Sequence, residues 1–172
     1  MKNSNRIIAA LAILCMASVS AYSETIHQTV QGEAAYAPGG DSGSAFTKGL
    51  IDVKDVPDAE GGKVGRLKST AGKWSYISYW FGIAAPAGKS IIRFRIYVDG
   101  TDTAGLAVYS QVKSGQNMLA QLVIPSDAKP GTFVNVDVPC AATEDLSGVT
   151  IKKTDTSARP GPWIDSVSVV LP

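Results

Sequence analysis

Residues 90–99 read Ser-Ile-Ile-Arg-Phe-Arg-Ile-Tyr-Val-Asp, and their alternation decides the fold class. Ile92, Phe94, Ile96 and Val98 share one parity, whereas Arg93, Arg95 and Tyr97 share the other. Strand side chains alternate with period two, so this segment is a strand with one buried face and one polar face. Asp99-Gly100 then ends it in a turn.

The same design repeats downstream. Gly105 to Lys113 places Leu106, Val108 and Val112 inward and Tyr109, Gln111 and Lys113 outward. After Ser114-Gly115, Met118, Ala120, Leu122 and Ile124 face inward and Gln121 outward. Beyond Lys129-Pro130-Gly131, Val134, Val136 and Val138 alternate with Phe133, Asn135 and Asp137. Val149 to Lys153 and Ile164 to Leu171 supply the last strands. Upstream, Ile26 to Tyr36, Phe46 to Val53 and Lys63 to Ser69 are shorter candidates, with a loop at Pro38 to Gly43. Trp74 to Gly82 (WSYISYWFG) carries large apolar groups on both parities. That strand is either buried on both sides or has an outer face built as a binding platform. Nine or ten short runs and no sustained 3.6-residue apolar period predict an all-β, two-sheet antiparallel β-sandwich.

The first 23 residues have the grammar of a secretory signal. Lys2 and Arg6 precede an apolar run from Ile7 to Met16, and small residues follow, with cleavage expected after Ala21 or Ser23. The run is too short to span a bilayer. Residues 24–172 then form one domain, secreted or periplasmic, with no membrane insertion after cleavage. Cys15 raises lipidation as an alternative, but Leu14 occupies the place where such sites want a small residue. Losing Lys2 and Arg6 moves the formal charge from +1 to −1, which argues against nucleic acid as a partner. Only Cys140 remains, so an internal disulfide is excluded; the thiol is either buried or joins two chains.

Catalytic constellations are scarce. The single histidine, His27, lies near the mature N-terminus, and no Gly-x-Ser-x-Gly motif is present. Most carboxylates sit in turns, at Asp41, Asp55, Asp58, Asp102 and Asp127, where Asp serves local backbone hydrogen bonds. Asp165 differs, sharing parity with Val167, Val169 and Leu171. An inward carboxylate needs a partner: calcium, a cluster of backbone N–H groups, or an arginine. If the middle strands pair as consecutive hairpins, Arg93, Arg95, Tyr97, Tyr109, Gln111, Lys113 and Gln121 share one face. Rings stack on sugars and Arg and Gln donate to hydroxyls, although the same residues would equally make an ordinary solvated face. Trp163, after Arg159-Pro160-Gly161-Pro162, either plugs the end of the sandwich or stands exposed for stacking.

Several segments in order resemble the galactose-binding-like jelly-roll domains found in carbohydrate-binding modules. They are Gln31-Gly32-Glu33-Ala34, the Tyr/Trp strand ending at Phe81, Ala85-Pro86-Ala87-Gly88 with the strand from Ile91 to Gly100, Pro130 to Pro139, and Trp163 to Val169. The resemblance implies a jelly roll that binds sugar on a concave sheet or at its loop end. It also implies a structural calcium, with Glu33 and Asp165 as the matching positions. The chain departs from the pattern at Ala35, where a second acidic residue is common, and at Pro162-Trp163. These readings give a secreted, non-catalytic module for a polysaccharide, contacted by Arg93, Arg95, Tyr97, Tyr109, Gln111 and Trp163. Two other classes stay open: an extracellular structural or cell-surface interaction protein, and a small polysaccharide-degrading enzyme.

Overall fold

The computed structural model describes residues 24–34 and 51–172. The signal segment, the Pro38–Gly43 loop, Ala35 and the Phe46–Leu50 part of the expected second strand lie outside the described residues. Ten strands are present among the described residues: β1 Thr25–Gln31, β2 Ile51–Asp55, β3 Lys63–Leu67, β4 Tyr76–Ala85, β5 Gly88–Val98, β6 Leu106–Val112, β7 Gly115–Leu122, β8 Thr132–Ala142, β9 Leu146–Lys153 and β10 Trp163–Leu171. They form two antiparallel sheets, as the alternation predicts. One runs β2-β3-β10-β5-β8, with β1 also on β10, and the other runs β4-β9-β6-β7.

The inward parity of each strand supplies the core between the sheets. Ile92, Phe94 and Ile96 of β5 and Val167 and Val169 of β10 meet Ile77, Tyr79 and Phe81 of β4, Leu106 and Val108 of β6, and Val149 and Ile151 of β9. Burying each such side chain contributes roughly 1.5–3 kcal/mol, which makes this layer the main source of stability. Cys140 is a buried free thiol in it, and burial pushes that thiol up. His27 stands near the edge of the sandwich, its Nε2 3.2 Å from Ala84 O. Beside it Gln28 Oε1 accepts the Ile83 N–H at 2.9 Å, tying β1 across to β4. No helix among the described residues is long and apolar enough to cross a membrane.

Two bulges alter the expected parities. The pairing of β6 with β7 skips Leu119, so Met118 stands opposite outward-facing Tyr109 and is exposed rather than inward. The pairing of β10 with β5 shifts between Ile164 and Ser166. Ile164 and Val167 therefore both reach the core, and Asp165 joins Ser166 on the outer side, opposite Arg95.

Candidate functional site

The expected single polar face does not exist, because β5 and β6 never pair. β5 lies between β10 and β8, whereas β6 lies between β9 and β7. Arg93, Arg95 and Tyr97 therefore face out from the six-stranded sheet, and Tyr109 and Gln111 from the four-stranded one.

On the six-stranded sheet the predicted contacts are already engaged. Arg93 donates to Asp137 through Nε at 2.8 Å and Nη2 at 2.7 Å, and Nη2 also reaches Glu24 at 3.1 Å. The Asp137 hydrogen bonds hold its guanidinium above the usual arginine range. Arg95 is paired with Asp165 and stacked 3.9 Å over the Phe133 ring. Tyr97 packs on Phe133 with ring centroids 5.2 Å apart. Trp163 is only 6 % exposed, set among Val56 and Val64, with Arg66 4.0 Å above its ring. Its indole N–H donates to Asp99 Oδ2 at 2.7 Å. Burial opposes ionisation of Asp99, but hydrogen bonds from Thr101 and Trp163, with Arg66 nearby, outweigh it and hold that carboxyl low. Opposite Tyr97, Trp163 is a buried packing residue on the outer side of the six-stranded sheet, in a cluster apart from the core between the sheets; as an exposed stacking ring it is corrected by this burial.

Asp165 is fully buried. Arg95 bonds one of its oxygens, and the Glu60 N–H donates to the other at 2.8 Å. Burial raises its carboxyl above the usual range despite these partners. Its partner is thus the arginine, joined by one backbone N–H. Glu33 lies in the turn Gly32–Ala34 after β1. Among the described residues, Glu33 Oε2 and Gln31 Oε1 are buried without a hydrogen-bond partner. Both residues converge on Gly61, where a β-carbon would stand 3.2 Å from Glu33 Oε1 and 3.5 Å from Gln31 Oε1. The Tyr79 hydroxyl is also buried and without a partner among the described residues, and burial, with the Glu33 charge, pushes its pKa up. Two orphaned oxygens, one anionic, suit a hard cation. Among the described residues no group of three or more His, Cys, Asp or Glu side chains is gathered for a metal, so backbone oxygens would have to complete any such site.

The outer face of the four-stranded sheet is different. Its register sets three rows across the strands: Tyr76, Lys152, Ala107 and Gln121; Ser78, Thr150, Tyr109 and Met118; Trp80, Gly148, Gln111 and Gln116. Trp80 is 43 % exposed, and its Cε3 lies 3.1 Å from where a β-carbon on Gly148 would stand. The missing side chain leaves room for the edge of the indole against the neighbouring strand. Lys152 Nζ lies 4.4 Å from the Tyr109 ring centroid and 5.9 Å from that of Tyr76. Burial lowers the Lys152 pKa, and among the described residues no carboxylate pairs with it. Thr150 is the polar hub, 2.7 Å from Ser78 Oγ and bonded by Gln111 Nε2. Gln111 is consequently buried, with Gln116 and Gln121 as the exposed amides of this face.

Lys152 is not among the sequence-predicted contacts, and Trp80 and Tyr76 enter the sequence reading only as part of a strand that is either buried on both sides or a binding platform. β4 has large groups on both parities, so only its burial shows that Ile77, Tyr79 and Phe81 face in. Trp74, just before β4, is 58 % exposed and has φ 71°, with its N–H bonded to Lys153 O at 2.9 Å.

No protein-family model and no curated protein matches the chain. Solved structures do. A family 35 carbohydrate-binding module from Clostridium thermocellum superposes with TM-score 0.57 at 15 % identity, covering 86 % of this chain and 98 % of that one. The family 35 module from Paenibacillus barcinonensis gives 0.55 at 15 % identity, covering 84 % and 99 %. The family 6 module of Cellvibrio mixtus lichenase 5A, solved in complex with cellotriose, gives 0.54 at 15 % identity, covering 86 % and 99 %. The chain thus has the galactose-binding-like jelly-roll fold that these carbohydrate-binding modules share.

Proposed function

We propose that this chain is a secreted, non-catalytic carbohydrate-binding module that takes a polysaccharide on the outer face of its four-stranded sheet. The carrying observation is the half-exposed Trp80 indole, packed against Gly148 in the same row as Gln111 and Gln116. Flat exposed rings stack on the apolar faces of sugars, and the amides around them serve hydroxyls. Tyr109 and Tyr76 extend the aromatic surface, with Lys152 between them. Gln111 works from beneath, orienting Thr150. Arg93, Arg95, Tyr97 and Trp163 are assigned instead to holding the opposite face together. The comparison with sugar-binding modules supports the reading at the level of fold. The signal-like residues 1–23 support secretion, and 24–172 as the mature domain.

We also propose a structural calcium held by Glu33 and Gln31, with Asp165 kept by Arg95. When bound, it would neutralise Glu33 and pin β1 to the Glu60–Gly62 turn. The function is tested by affinity electrophoresis of the mature protein in gels containing plant, fungal and algal polysaccharides. Retardation by at least one polymer, abolished by Trp80→Ala with Tyr109→Ala, is expected. No retardation, or retardation that survives both substitutions, would refute the reading.

A further inference from the structure

β9 ends in two lysines, and strand alternation sends them to opposite sides. Lys152 lies over Tyr109 on the outer face, whereas Lys153 turns inward and is buried. Lys153 Nζ donates to Ala71 O at 2.8 Å, to Arg159 O at 3.2 Å and to Ser157 O. Among the described residues it pairs with no carboxylate. A buried ammonium is costly, and three charge-assisted hydrogen bonds to carbonyls are what offset that cost here. Ala71 belongs to the loop of residues 68–75, and Ser157 and Arg159 to the loop of residues 154–162. The backbone of Lys153 repeats the link: its carbonyl accepts the Trp74 N–H and its N–H donates to Ser75 O, both at 2.9 Å. One residue thus fastens two loops, and the first of them carries Trp74.

Trp74 is the one non-glycine residue with positive φ among the described residues. A bulky side chain persists there only where its surroundings hold it. The indole is largely exposed, so burial of the ring does not explain the strain. Lys153 does.

We propose that Lys153 is a positioning residue that sets Trp74 as the end contact of the glycan-binding face, favouring long chains over short ones. This rests on the binding face argued above. At about 3.3 Å per residue, Tyr76 and Trp80 span about 13 Å along β4, and Trp74 lies beyond Tyr76. A disaccharide at Trp80 and Tyr109 therefore does not reach it, whereas a hexasaccharide does.

The test compares wild type, Lys153→Met, Lys153→Arg, Trp74→Ala and the Lys153→Met, Trp74→Ala double variant. Cellohexaose and laminarihexaose are titrated calorimetrically against their disaccharides. Lys153→Met is expected to weaken hexasaccharide binding about tenfold, as loss of one aromatic contact does, and to leave disaccharide binding unchanged. The double variant should be no weaker than Trp74→Ala alone, and Lys153→Arg should recover most of the loss. Without sugar, Lys153→Met should lower the anisotropy of Trp74 emission, read as the difference from the same protein carrying Trp74→Phe. Should Lys153→Met fail to fold, Lys153→Gln carries the same comparison. Additive losses, or a folded variant whose Trp74 anisotropy matches wild type, overturn the proposal. If the wild type binds no sugar at all, the binding face falls, and the anisotropy alone decides the role of Lys153.

Discussion

The Trp80 indole packs against Gly148, whose missing β-carbon would stand 3.1 Å from Trp80 Cε3 and 2.6 Å from Tyr79 O. The first atom belongs to a side chain that can lift; the second is backbone and cannot yield cheaply. Gly148→Ala should therefore cost about 1–3 kcal/mol of stability and displace the indole. Thermal unfolding and calorimetric titration of the same sample separate the effects. Trp80→Ala should lose sugar affinity with little change in stability, whereas Gly148→Ala loses both.

The ion pair of Arg95 with Asp165 makes an asymmetric prediction. Arg95→Met leaves a fully buried carboxylate with only the Glu60 N–H, and should cost about 3–5 kcal/mol. Adding Asp165→Leu should recover much of that loss, because the uncompensated charge is gone. Urea midpoints of the single and double variants measure it, and sugar affinity should stay unchanged in whichever protein remains folded.

The residues that alternated cleanly were the legible ones. Ile92, Phe94 and Ile96 face the core as their spacing requires, and that alone was enough for the sandwich. What period two cannot show is which strands are neighbours. Arg95 and Tyr109 lie on consecutive strands in the chain, yet the jelly-roll path puts them on different sheets. Bulges are equally silent. Asp165 is itself an extra residue and Met118 adjoins one, Leu119; each bulge reverses local parity, and neither has a glycine or proline to announce it. Trp80 was hidden by its neighbours, since Tyr79 and Phe81 are as large and apolar as it is.

Acid should weaken the loop end. Hydrogen bonds from the Ser157 hydroxyl and the Gly105 N–H, with Arg159 nearby, bring the Asp155 carboxyl from 3.8 to about 2. A depressed folded-state pKa means the contribution is present above 3.8 and is lost as pH falls through about 2. Asp165 acts with the opposite sign, because burial raises its pKa and its contribution grows as pH falls. Asp155→Asn should flatten the acid limb of a stability–pH profile relative to wild type, with little change at pH 7 in slope.

Calcium should stabilise the fold through Glu33 and Gln31. At a hundredfold excess over its Kd, one bound ion adds about 2.7 kcal/mol, a rise of several degrees in thermal midpoint. EDTA should reverse the rise, and Glu33→Gln should abolish it while leaving the metal-free midpoint equal to or above that of wild type. The higher midpoint follows because the substitution removes a buried carboxylate oxygen that has no partner among the described residues.

The binding face is tested most directly by the indole N–H resonances of the three tryptophans, one peak for each of Trp74, Trp80 and Trp163 in a nitrogen–proton correlation spectrum. An oligosaccharide from a retarding polymer is titrated into the labelled mature protein. The Trp80 peak should move most, Trp74 should move with longer chains, and Trp163, bonded to Asp99 beneath Arg66, should stay in place. A spectrum in which Trp163 moves and Trp80 does not would contradict this binding face.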